Sequence, residues 1–265
     1  MKLFRKLFNK TDTILIRNNI IELWANRRSR FYIIFVPVLI AILIPVLYLL
    51  IALLTSVGAN VGALRSLLPE SMQDYNAEQT VYYLSTNLLS PMLFPIIPIF
   101  VSTVVTGTCL IDEKEQKTIG SLFVTPVSPW QTLRSKFYTA QLITFAVILL
   151  SSFSFLIIAT IGNLILSTAF VLDGIWAVTI FLFSPALSMF SSLLVIVFRR
   201  QYHTSRDAFK SAAYLIFPLL LIYSLQFLAV YKIGWLTLVI VSLLLLLTSI
   251  ILLFVQKNHF RPEKI

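Results

Sequence analysis

Residues Ile111–Lys136, IDEKEQKTIGSLFVTPVSPWQTLRSK, form an island of charge and turn residues between two long apolar runs. The chain around it is 58% hydrophobic and only 12% charged, with a mean hydropathy of +0.90. Those values fall outside the range of soluble globular domains. Several apolar stretches reach the ~20 residues that carry a helix across a bilayer core. The reading is an all-α polytopic membrane protein, and in such a chain the island must sit in water or against a partner protein.

Outward from the island, six spans are expected at about residues 32–56, 88–111, 137–161, 174–198, 211–230 and 235–255. The chain divides into an interfacial leader (1–31), a six-span domain (32–256) and a tail (257–265). The first span holds Pro37 and Pro45, and the second holds Pro91, Pro95 and Pro98. Prolines inside spans need neighbouring helices or polar groups to satisfy the carbonyls they free. The second span is therefore expected within the bundle, irregular toward its outer end.

The distribution of basic residues orients the chain. The leader carries eight (Lys2, Arg5, Lys6, Lys10, Arg17, Arg27, Arg28 and Arg30), the island four, the 199–210 loop four and the tail three; the alternate segments hold only Arg65 and Lys232. Nineteen against two places both termini, the island and the 199–210 loop in the cytoplasm. Within the leader, Ile16, Ile20, Leu23 and Trp24 fall on one helical face and Arg17, Asn18, Glu22 and Asn26 on the other, with Asp12 or Thr13 placed to cap the start. That pattern predicts an amphipathic helix in the headgroup layer. The basic start is not followed directly by a short apolar core and cleavage site, so no signal peptide is expected.

Several chemistries lack their residues. No span carries a clear mid-membrane Asp, Glu, Lys, Arg or His, the groups on which proton- or ion-coupled transport depends. One cysteine, Cys109, excludes an intramolecular disulfide and a cysteine zinc cluster, and it is expected as a buried small residue. His203 and His259 are too far apart in sequence to suggest a metal site, and no phosphate loop of the G-x-x-x-x-G-K-[ST] type occurs. The basic residues flank spans rather than forming a patch on soluble structure, so no nucleic-acid partner is expected. Thr103, Thr106, Gln141, Ser151, Ser152, Ser154, Ser188, Ser191, Ser192 and Gln226 are mild polar groups expected to serve helix packing.

Inside the island, Asp112, Glu113 and Glu115 are placed to open a short helix, where its dipole favours negative charge. Ile119, Leu122 and Phe123 follow at i, i+3 and i+4, and Pro126 and Pro129 stop it. Such a helix, acidic at one end and apolar on one face, fits a groove on a soluble partner; an ordinary connector lying on the headgroups fits equally well on spacing alone.

Glu113-Lys-Glu115, Thr118-Ile119, Leu122 and Thr125-Pro126-Val127 resemble the loop after the second span of type-2 ABC exporter permeases, and Lys136 matches a lysine that opens that family's third span. The sequence departs from the family at Lys117, where glycine is usual, at Gly120, where an acidic residue is common, and at Ser135, where glycine precedes the lysine. Tyr231–Gly234 leave no room for the family's re-entrant hairpin unless the fifth span is broken near Pro218. The resemblance implies a permease subunit that pairs with a second, identical or homologous, permease subunit in the plasma membrane. ATP and Mg²⁺ would then be used by a separate ABC ATPase subunit, with no cofactor bound directly to this chain and no enzyme site of its own. It makes Glu113, Glu115, Thr118, Ile119, Leu122, Thr125 and Pro126 the ATPase-coupling helix, with Arg199, Arg200 and Arg206 as a second cytoplasmic contact. Export of an amphipathic or hydrophobic drug, peptide or lipid-linked molecule is the implied activity. The alternative is a non-transporting membrane anchor or sensor that docks a cytoplasmic partner.

Overall fold

The structure is a computed structural model that describes residues 10–54, 62–65, 67–115, 128–169, 174–199, 201–202, 205–227 and 234–259. Among the described residues all regular structure is helical. The principal helices are α1 (Lys10–Ala25), α2 (Phe31–Leu54), α3 (Ala77–Leu110, its helical backbone continuing to Glu115), α4 (Pro129–Leu166), α5 (Gly174–Phe198), α6 (Ser205–Phe227) and α7 (Trp235–His259).

Five described helices, α2, α3, α4, α5 and α7, are long and apolar enough to cross a membrane. The expectation was six. Helix α6 begins with the polar turn Ser205-Arg206-Asp207, and its described apolar stretch is the shorter Ala212–Tyr223. It runs unbroken through Pro218, so the break that a re-entrant hairpin would need there is absent. Two expected boundaries move outward. The second span begins its helix at Ala77 rather than near 88, and the third begins at Pro129 rather than near 137. The reason at Pro129 is local chemistry. The Ser128 hydroxyl accepts from the Gln131 amide (3.3 Å), the Gln131 side chain accepts from the Ser128 amide (3.1 Å), and Pro129 occupies the first turn. This is a reciprocal cap with proline where its missing N–H costs nothing, so Pro129 starts α4 instead of stopping the island helix.

Helix α3 is the buried axis, packed by α4, α5 and α6, while α2 rests on α4 and α7 on α5. As expected, α3 is irregular away from its Glu115 end. A π turn spans Ser85–Leu89 and the helix breaks again at Phe94-Pro95. Similar π turns occur at Phe31–Phe35 in α2 and Thr179–Phe183 in α5. Each ends two residues before a proline: Pro37, Pro91 or Pro185. In all three the residue just before the proline donates its N–H five residues back, Val36 to Phe31, Ser90 to Ser85 and Ser184 to Thr179. A proline ring crowds the preceding turn and cannot donate, and widening that turn absorbs both effects. The Ser90 and Thr86 hydroxyls donate to Ser85 and Tyr82 carbonyls at 3.0 and 2.9 Å, adding local partners inside the bundle.

At the end of the bundle away from the island, α3 is fastened to α4. The Tyr82 hydroxyl donates to the Ala159 carbonyl (3.1 Å), the Gln79 amide to the Leu166 carbonyl (2.9 Å), and the Ala169 N–H to the Tyr75 hydroxyl (2.9 Å). Tyr82 is wholly buried and lies over Gly162, where an added Cβ would meet its hydroxyl oxygen at 2.0 Å. Gly162→Val is therefore expected to displace Tyr82 and cost about 2 kcal/mol, the scale of overpacking in a filled core. The check is a thermal unfolding midpoint, followed by tryptophan fluorescence of the detergent-solubilised chain, several degrees below that of the parent.

Candidate functional site

The described part of α3 ends at Glu115 and α4 begins at Pro129, and the residues around these two stems of the island form the candidate site. Lys136 lies about two helical turns into α4 and is 3% exposed. Its ammonium donates to the Cys109 carbonyl of α3 at 2.6 Å. Burying an ammonium is expensive unless it is well hydrogen-bonded. Lys136 therefore does more than mark a membrane boundary, because it ties the stem entering the island to the stem leaving it.

Helix α1 completes the arrangement from the side. Asp12 is almost fully buried and forms an ion pair with Arg134, two residues N-terminal to the tie. The Asn19 amide reaches the Ser135 and Thr139 hydroxyls at 3.5 and 3.4 Å. Below these, Ile16 and Leu23 are buried and Ile20 packs on the core of the bundle. Asp12 was read as a helix cap; in the structure α1 already includes Lys10, so Asp12 sits within the first turn and its carboxylate serves α4 instead. Trp24, assigned to the same apolar face, is 40% exposed together with Ile14 and Ile21. Helix α1 thus buries one apolar stripe against the bundle and carries a second one outward.

The other sequence-predicted residues are distributed as follows. Glu113 and Glu115 lie in the last turn of the helix Ile96–Glu115 rather than opening a new helix. Glu and Lys sustain helix well, so α3 runs through them, and the dipole at that end disfavours negative charge. Thr118, Ile119, Leu122, Thr125 and Pro126, and with them the expected coupling helix, lie outside the described residues. Arg199 is buried at the end of α5 and donates to the Ile196 carbonyl (2.8 Å) and the Gln256 side chain (3.1 Å), joining α5 to α7. Arg206 is in the first turn of α6, and Arg200 is outside the described residues.

Deeper in the bundle the mild polar groups hold helices together. Gln141 of α4 donates to the Ser192 hydroxyl (2.9 Å) and the Ser188 carbonyl (3.3 Å) and accepts from the Ser188 hydroxyl (2.8 Å). Ser102 of α3 and Ser191 of α5 share a hydrogen bond between hydroxyls. Thr103 and Ser152 bond within their own helices. Cys109 is buried, as its flanking residues suggest. The residues missed by sequence reading are Asp12, Asn19 and Arg134. The available signal was the acidic residue at the start of a basic leader, a sign that a charge on another element needed a partner.

Residues 20–206 match the family model described as ABC-2 family transporter protein. No curated protein and no solved structure matches the chain.

Asp12 and Arg134 are expected to act as a unit. Each of Asp12→Ala and Arg134→Ala should destabilise the chain, and the pair should show a coupling energy of about 1–2 kcal/mol, between the values for exposed and buried ion pairs because Arg134 keeps part of its hydration. A double-mutant cycle on unfolding midpoints measures it, and additive effects would remove the ion pair from the architecture of the site.

Proposed function

The chain belongs to the ABC-2 transporter family, and on that premise we propose that it is the membrane-spanning permease subunit of an ABC exporter. Two such subunits, identical or homologous, enclose a pathway across the plasma membrane. ATP and Mg²⁺ are used on separate ATPase subunits docked at the cytoplasmic face, for this sequence contains no phosphate loop. In this reading α6 supplies the sixth span, both termini are cytoplasmic and α1 rests at the headgroup layer. The basic-residue count of nineteen to two supports that orientation.

The observation that carries the proposal is the buried Lys136–Cys109 tie beneath the island. A segment that receives a push from a partner is useful only if its stems cannot slide past each other. Here the exit of α3 and the entry of α4 are fixed together, and α1 braces α4 through Asp12 and Asn19. The ATPase-coupling set of this reading is Glu113, Glu115, Thr118, Ile119, Leu122, Thr125 and Pro126. Thr118, Ile119 and Leu122 contact the ATPase groove, and Glu113 and Glu115 pair with its basic groups. The acidic residues gain nothing from the dipole of the helix they end, which favours a role toward an outside cation over one in local helix stability. Of Arg199, Arg200 and Arg206, the second contact keeps Arg200 and Arg206, because Arg199 is buried against Ile196 and Gln256. The cargo is an amphipathic or hydrophobic drug, peptide or lipid-linked molecule, consistent with a bundle interior that, among the described residues, offers Ser, Thr, aromatic and aliphatic surface without a buried ionisable pair at its centre.

The test is co-purification with the ATPase subunit and stimulation of its ATP hydrolysis. Glu113→Arg combined with Leu122→Asp is expected to lower both by about tenfold or more, the effect of reversing a charge and desolvating a carboxylate in an interface core. Unchanged association and hydrolysis would overturn the coupling assignment.

A further inference from the structure

A groove of about 520 Å³ opens between α2 and α4. Arg27 and Arg30 stand at one end, Ile34, Val38 and Ile42 continue along α2, and Leu150 of α4 lines the other side. Phe31 and Phe35 stack at 4.8 Å beside the arginines, within the π turn that precedes Pro37. From Arg30 to Ile42 the stripe is about 18 Å long at 1.5 Å per residue, close to one leaflet of a ~30 Å hydrocarbon core. The groove is therefore basic at headgroup depth and apolar for the length of an acyl chain.

We propose that this groove is a binding site for an anionic glycerophospholipid in the leaflet on the island side, its phosphate held by Arg27 and Arg30 and one acyl chain lying along Ile34, Val38 and Ile42. Charge complementarity selects the occupant. Among the described residues the ion pair is Arg134–Asp12, and neither Arg27 nor Arg30 enters one. Both arginines are exposed at the mouth of an apolar surface, where guanidinium groups recognise phosphate oxygens bidentately. A free phosphate would leave the apolar stripe uncovered. A second copy seated by a two-fold axis would bring arginines against arginines, since such an interface places the same patch on both sides. The inference is independent of the coupling assignment, because its readout needs no ATPase.

The experiment is native mass spectrometry of the purified full-length chain, with phosphatidylglycerol and phosphatidylcholine of matched acyl chains offered in competition. Phosphatidylglycerol is expected to be retained about 30-fold over phosphatidylcholine, the factor that two arginines near an anionic headgroup supply. Arg27→Gln with Arg30→Gln should abolish the preference. Val38→Trp, which fills the groove without touching its charge, should reduce retention of both lipids. Equal retention of the two lipids by the parent chain, or a preference that survives loss of both arginines, overturns the proposal. So does efficient disulfide cross-linking of Leu39→Cys between copies in membranes, in a Cys109→Ser background, which would make the groove a contact between copies.

Discussion

A single buried ammonium joins the helix that enters the island to the helix that leaves it. Lys136 is two helical turns inside α4, nearly inaccessible, and spends its charge on the Cys109 carbonyl of α3. An unpaired carbonyl or ammonium at that depth would be costly, so the contact is far harder to give up than a surface hydrogen bond of the same length. Its position matters as much as its strength. The two helices that lead into and out of residues 116–127 are joined below the point where they separate, so they share one base. The ion pair and amide contacts from α1 then add a third element to that base, which becomes a three-helix unit rather than two independent helix ends.

Above this base the bundle solves a second problem, the prolines. Pro37, Pro91 and Pro185 each follow a π turn whose final N–H reaches back five residues instead of four. The extra residue in each turn rotates every side chain that follows by a fraction of a turn. In α2 this occurs at the mouth of the groove that carries Arg27 and Arg30. In α5 it precedes the serine cluster that meets Gln141 and Ser102, so the register of Ser188, Ser191 and Ser192 toward α4 and α3 is set after the widened turn. The small hydroxyls permit close helix approach while the amide fixes the register, the division of labour expected where lipid offers no hydrophobic drive to bring helices together.

The sequence was most legible where the signal is local or compositional. Long apolar runs, the side preference of lysine and arginine, and the three prolines of the second span predicted a helical membrane bundle with an irregular, buried second helix, and α3 has that form. Pairings between distant elements were not legible. Nothing near Asp12 says that its carboxylate belongs to Arg134, more than a hundred residues away, and a cap was the local alternative for the same residue. Ser128-Pro129-Trp130-Gln131 holds a readable capping box, but proline both ends and begins helices, and only the reciprocal Ser128–Gln131 bonds make Pro129 a start rather than a stop. Trp24 was assigned to a single apolar face because the pattern was read for one partner, whereas α1 has the bundle on one side and exposed Ile14, Ile21 and Trp24 on the other.

The length of α4 gives the arrangement its mechanical sense. At 38 residues it is about 57 Å long, nearly twice the ~30 Å of a hydrocarbon core. One end carries Lys136 and Arg134 at the base of the island. The other carries Ala159, Gly162 and Leu166, where Tyr82 and Gln79 of α3 are fastened. Helices α3 and α4 are therefore joined at both ends, and between those ends α3 alone is interrupted, by the π turn at Ser85–Leu89 and the break at Phe94-Pro95. A displacement applied at the island would reach the far side of the bundle through the continuous helix. The interrupted one must bend to stay attached, and its two interruptions are where the hydrogen-bond ladder has already been opened.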